Sequence, residues 1–358
     1  MRLSSPRHAP SGHSSTRRLR VAYAFAAIVV VLAACASSAE AVTTARLTYI
    51  SAPANASPQL VLAHANGAGA RPLGPASTAV LSPDGVYVAA VGPGHGSPAT
   101  GSTLLLYAVG SKKPVRTLRV SAAQLTILAW APDDRWIALT DGNSLVAVPL
   151  RGQARTLASG PITGASFAPH APDRLVFAQA AAPQAGAQVN LFRVNMNGGQ
   201  AVQLTYVGLN QYPLWGPTGI IYSHAASASG STLQLWQLAA GHAKAITNVT
   251  LNAPWNGFEP VALSTDGQHL LANLVGDNAS QAWCIDLSMI PAGEHVLGAT
   301  GTTIGNAISR DGSQVLVTEG TGTLAGDNFS KSTVAVVPWN GGNATTVAQH
   351  SAFASWDR

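Results

Sequence analysis

The chain has 358 residues, 47% hydrophobic, 6% aromatic and only 10% charged, with 35 Gly and 22 Pro. That composition excludes a charge-rich disordered polypeptide and supplies apolar surface for a large core. The formal net charge of +5 hints at a nucleic-acid partner until it is located. Arg2, Arg7, Arg17, Arg18 and Arg20 hold five of the 20 basic residues, and the first of the 15 acidic residues is Glu40. The remaining 15 basic and 15 acidic groups cancel. A duplex-binding surface needs clustered cations, so no nucleic-acid partner is expected.

Residues 1–20 are polar and basic, and Val21 to Ala34 form an uncharged apolar run. A basic segment followed by a short apolar one predicts an export signal over residues 1–34, too short for an ordinary spanning helix. The run ends in Leu32-Ala33-Ala34-Cys35, which resembles a bacterial lipobox. That resemblance implies lipid attachment at Cys35, a palmitate-type anchor, a short tether over 35–43 and a protein held outside the cytoplasm in the cell envelope. Two other readings stay open: cleavage at Ala39-Glu40-Ala41, releasing a soluble exported protein, and an uncleaved anchor. With Cys35 lipidated, Cys284 has no partner in the chain, and its apolar setting predicts a buried, inert thiol.

From residue 44 onward the chain repeats itself. An apolar residue precedes a tight turn at Leu81, Trp130, Phe167, Trp215, Leu263, Ile308 and Trp356, at intervals of 37 to 49 residues. The turns read Ser82-Pro83-Asp84-Gly85, Ala131-Pro132-Asp133-Asp134, Gly216-Pro217-Thr218-Gly219, Ser264-Thr265-Asp266-Gly267 and Ser309-Arg310-Asp311-Gly312. Pro or a small residue suits the first central position of a type I turn, Asp the second, and Gly the left-handed position of a hairpin loop. Short apolar runs follow each turn, a third strand and a Gly-containing turn come next, and a short fourth strand ends the unit. Units of four short antiparallel strands at this period predict an all-β propeller occupying 44–358 as one domain. The count predicts seven four-stranded blades, the last shared between the two chain ends.

The run Asn197-Gly198-Gly199-Gln200-Ala201-Val202-Gln203-Leu204-Thr205, followed by Pro213-Leu214-Trp215-Gly216-Pro217, resembles the TolB-type WD40-like (PD40) repeat. Leu81–Gly85, Trp130–Asp134 and Ile308–Gly312 match its turn half. The resemblance covers nearly all of residues 44–358. It implies the propeller fold and leaves function open.

Catalytic constellations are scarce. Asp84, Asp133, Asp134, Asp266 and Asp311 are explained as turn residues, and the His residues after the leader show no ligand spacing. Gly94-His95-Gly96-Ser97-Pro98 reads as a connecting loop. Gly276-Asp277-Asn278 and Gly326-Asp327-Asn328 read as one repeated turn rather than calcium loops. No metal and no cofactor is expected. The loops that enter each blade at the channel mouth are predicted to hold Asn210, Gln211, Tyr212, Asn252, Trp255, Asn256, Phe258 and a single carboxylate, Glu259. Aromatic faces flanked by amides suit a protein or peptide-like ligand. The alternative is that Trp255 and Phe258 only cover the core. The leading expectation is a monomeric, membrane-tethered, non-catalytic binding propeller; the alternative is an extracytoplasmic propeller enzyme, a lactonase-like hydrolase or a lyase.

Overall fold

The computed structural model describes residues 45–54, 56–95, 100–120, 125–182, 187–226, 232–289, 293–298, 302–320 and 331–357. The export leader 1–34, the tether 35–43 with Cys35, Gly326-Asp327-Asn328 and part of Gly94–Pro98 lie outside these residues. Ala45–Arg358 is one compact unit.

Among the described residues twenty-eight strands run in order. β1 (Arg46–Ser51), β2 (Gln59–His64) and β3 (Arg71–Pro75) are followed by a first unit of β4 (Thr78–Leu81), β5 (Tyr87–His95), β6 (Thr100–Ala108) and β7 (Pro114–Val120). The second unit is β8 (Thr126–Trp130), β9 (Trp136–Thr140), β10 (Ser144–Pro149) and β11 (Arg155–Ser159). The third is β12 (Ile162–Ala168), β13 (Ala171–Ala180), β14 (Val189–Asn195) and β15 (Val202–Gln203). The fourth is β16 (Leu209–Gly216), β17 (Gly219–Ala225), β18 (Gln234–Ala239) and β19 (His242–Ala245). The fifth is β20 (Trp255–Leu263), β21 (His269–Gly276), β22 (Ala279–Asp286) and β23 (Gly293–Leu297). The sixth is β24 (Thr303–Ile308), β25 (Gln314–Glu319), β26 (Thr333–Pro338) and β27 (Thr345–Gln349), and β28 (Ser351–Trp356) ends the chain.

The fold is an all-β propeller, but the expectation of seven separate four-stranded blades is corrected. Five sheets are separate four-stranded blades, and the third and fourth units are joined in one eight-stranded sheet. The cause is local. β15 is only two residues long and leaves most of the outer edge of β14 bare, so β16 pairs with it in parallel at Val189↔Leu209. The Val189 N–H donates to Gly208 O at 3.3 Å, and Asn210 Nδ2 donates to Val189 O at 2.9 Å. A side chain at Gly208 is barred: its φ is +80°, and a Cβ there would lie 2.5 Å from Ala225 O.

The first strand of each unit touches its neighbour in the order β4, β8, β12, β16, β20, β24, β28 and back to β4, so these strands border a common axis. The chain ends share one sheet of order β28-β1-β2-β3, with Leu47 opposite Trp356 and Ser51 opposite Ser351. Asp357 fastens the closure by accepting the Arg46 N–H, and the Arg46 guanidinium donates to Gly85 O at 3.0 Å.

Each core cluster straddles two neighbouring units. Leu145 and Ala138 of the second pack with Phe167 and Leu175 of the third, and Leu271 and Cys284 of the fifth with Val315 and Trp339 of the sixth. Leu60 and Ile50 of the closing sheet pack with Val88 and Leu81 of the first unit. A fully buried Leu or Ile contributes about 1.5–3 kcal/mol, so the stacking of units carries most of the stability. Polar stitches add to it. Ser355 Oγ accepts the Leu81 N–H at 2.9 Å and shares a hydrogen bond with Thr48 Oγ1 at 3.0 Å. Trp130 Nε1 donates to Val80 O at 3.2 Å. Asn273 bonds Gly305 twice, through Nδ2 to O at 3.2 Å and through Oδ1 from N at 2.7 Å.

The repeated turn is self-supporting. In its Ser82, Ser264 and Ser309 copies the serine hydroxyl donates to the Asp two residues on, at 2.5–2.7 Å. The same hydroxyl accepts the N–H five residues on, from Tyr87, His269 and Gln314, at 2.8–2.9 Å. The Gly that follows each Asp has φ between 69° and 73°. In the second unit Asp134 takes that left-handed place at φ 61°, which accounts for the adjacent pair Asp133-Asp134 as turn geometry. Its carboxylate accepts the Asp84 N–H at 3.2 Å. Burial pushes the Asp134 carboxyl up to about 6, reinforced by the Asp84 and Asp133 charges and opposed by that hydrogen bond. Cys284 is buried and free among the described residues, and burial pushes its thiol up to about 12.

Two outcomes follow from this packing. Ser355→Ala leaves the Leu81 N–H without its acceptor and costs about 1–2 kcal/mol in urea unfolding; an unchanged midpoint would show that the closure does not depend on it. For Asp134, the folded pKa lies above the unfolded one, so the wild-type chain gains stability as pH falls from about 7 toward 4. Asp134→Asn keeps the turn and lacks that titration. It melts above wild type at pH 8 by an amount equivalent to about 1 kcal/mol or less, given solvent screening, and the difference closes near pH 4.

Candidate functional site

The eight residues expected in mouth loops are placed differently. Asn210, Gln211 and Tyr212 belong to β16, Trp255, Asn256, Phe258 and Glu259 belong to β20, and Asn252 alone lies in the preceding connection. The two strands touch at the axis. Seven of the eight thus lie on two adjoining inner strands, and Asn252 is exposed in the connection before β20.

Two of the eight are committed to the interior. Phe258 is fully buried and meets the Trp283 ring edge-on at 5.2 Å, and the partly buried Trp255 packs against the same core cluster. Asn210 is buried, donates to Val189 O and Val207 O, and its Oδ1 lies 2.9 Å from His224 Nδ1. That His224 contact was not legible beforehand, because it depends on the register Asn210↔His224 between β16 and β17. Burial pushes the His224 imidazole below its ordinary value, and its ring packs on Trp236 at 4.6 Å.

The others remain at the surface or partly so. Gln211, Tyr212, Trp255 and Glu259 are half-buried, and Asn252 and Asn256 are exposed. Asn256 Nδ2 donates to Asp277 Oδ1 at 3.1 Å, and the Asp277 N–H donates to Pro254 O at 2.9 Å. Gly276-Asp277-Asn278 is therefore a turn docked against the start of β20, with Asn278 at φ 61°. Register shifts shape both strands. β16 shifts register between Gln211 and Leu214, with Tyr212 at φ 51°, and β20 shifts between Trp255 and Gly257. A non-Gly residue held at positive φ stores strain that the surroundings must impose.

Tyr212 on β16 and Glu259 on β20 interact electrostatically across the two strands. Burial pushes Glu259 above the usual carboxylate range, partly offset by Tyr212. Burial, together with the Glu259 charge, pushes Tyr212 up to about 12. Gly257 is obligatory at the bulge between them: at φ +141°, a Cβ would lie 2.4 Å from Leu233 N, where the units meet through a Leu233↔Gly257 bridge. Among the described residues no three His, Cys, Asp or Glu are grouped to hold a metal ion, and no helix is long and apolar enough to cross a membrane.

No family model matches the chain, and no curated protein does. Solved structures do. TolB from Acinetobacter baumannii is 14% identical with a TM-score of 0.51, covering 88% of this chain and 67% of that one. An oligogalacturonate lyase in complex with manganese is 13% identical with a TM-score of 0.55, covering 85% of each. The propeller domain of the trilobed protease from Pyrococcus furiosus is 11% identical with a TM-score of 0.60, covering 85% of this chain and 95% of that one. At such identities the likeness concerns the fold.

Glu259→Gln removes the desolvated charge. Because the folded pKa of Glu259 is raised, the wild-type penalty is present at high pH and fades as pH falls through the folded value. The variant melts above wild type at pH 8, and the two curves meet by about pH 4. Gly257→Ala, in contrast, destabilises by roughly 3 kcal/mol or more in denaturant unfolding.

Proposed function

We propose that the chain is an envelope-located, lipid-tethered propeller that captures a protein or peptide-like partner at the axial entrance between β16 and β20, without catalysis. The observation that carries this reading is the gathering of Gln211, Tyr212, Trp255 and Glu259 on two adjacent axial strands, with Asn252 and Asn256 exposed. A half-buried indole beside amides offers stacking surface and hydrogen bonds at modest desolvation cost. The TolB-like fold and the export leader are consistent with a place outside the cytoplasm, and the sequence Leu32-Ala33-Ala34-Cys35 supports a lipid anchor at Cys35.

Two experiments test it. A photo-crosslinking amino acid at Gln211 or Trp255, introduced in living cells, forms a discrete adduct identified by mass spectrometry. The same group at Ser111, in the β6–β7 turn at the opposite end of its blade, does not. Adducts of equal yield from all three positions argue against an entrance-specific partner. For the tether, Cys35→Ser moves the protein from the membrane fraction to the soluble one; retention on membranes removes lipidation as the anchor.

A further inference from the structure

The axial strands β4, β8, β12, β16, β20, β24 and β28 carry one acidic or basic side chain between them, Glu259. Every other group on that wall is apolar, a hydroxyl or an amide. Glu259 has no ion-pair partner among the described residues, where the one salt bridge joins Arg135 and Asp133 on a turn. Its cross-strand neighbour Asn273 is neutral and engages Gly305 through both its Nδ2 and its Oδ1. Tyr212, on the facing strand with its backbone at φ 51°, interacts with it, and a carboxylate has about four acceptor positions. A half-buried carboxylate on a wall free of cations is costly unless a cation completes it.

Resting on the reading of the entrance as a peptide site, we propose that Glu259, which interacts with Tyr212, is the subsite for a basic side chain of the bound peptide. The ammonium or guanidinium takes the free carboxylate positions. The neutral wall makes this the one point along the axial strands where a positive charge is preferred to a neutral side chain of equal length. Charge-assisted hydrogen bonds in a partly desolvated site are stronger than neutral ones, which is the source of the selectivity.

The test uses the tethered protein released in detergent and two blocked tripeptides, acetyl-Ala-Lys-Ala-amide and its norleucine analogue, titrated by nuclear magnetic resonance at pH 8. The lysine peptide is expected to bind wild type at least 10-fold more tightly than the norleucine peptide, and Glu259→Gln, whose melting curve confirms folding, is expected to bind both equally. Equal binding of the two peptides to wild type overturns the cation subsite and leaves the entrance as a peptide site. A lysine preference that survives in Glu259→Gln overturns the assignment to Glu259. Binding of neither peptide counts against both readings.

Discussion

A four-stranded sheet that is apolar on both faces cannot be stable alone, and this constraint governs the whole molecule. Each unit must press both faces against neighbours, and every core cluster does straddle two units. An open row would leave two faces wet, so the array has to return on itself. It does so through β28 and β1, with Trp356 beside Leu47 and the Asp357 carboxylate on the Arg46 amide. The ends of the described chain are thus part of the core rather than appendages to it.

Closure has a consequence for chemistry. Strands that converge on an axis pack against neighbours on both sides and are partly shielded from water, and isolated charges are expensive there. The axial strands accordingly hold hydroxyls, amides and apolar groups, and the single exception stands out energetically as well as compositionally. Glu259 lies on β20 between two register shifts and interacts with Tyr212, whose own backbone is at positive φ. Polar groups elsewhere along the interfaces, such as Asn273 on Gly305 or Ser355 on Leu81, are engaged in stitching units. Glu259 is not, and that contrast separates a binding element from a structural one.

Much of the architecture was legible because the turn motif is chemically self-contained. Ser, Asp and Gly at fixed spacing make the same hydrogen bonds in the Ser82, Ser264 and Ser309 copies, so they announce a hairpin wherever they occur. The left-handed place of Asp134 could likewise be read from its alignment with Gly85, Gly267 and Gly312. What was not legible is pairing between units. The two-residue β15 and the parallel contact Val189↔Leu209 that fuses two units into one sheet depend on an edge left open by a short strand. No periodicity records that.

The sequence by itself determined the repeat, the strand-forming runs, the turn chemistry and the residue types near the entrance, since each follows from local geometry and the alternation of apolar side chains. Tertiary structure alone decided how many sheets stand separately, that Phe258 and Asn210 turn inward, and that Tyr212 meets Glu259. Those outcomes depend on bulges and inter-unit register, and a one-residue shift in a strand sends a side chain to the other face.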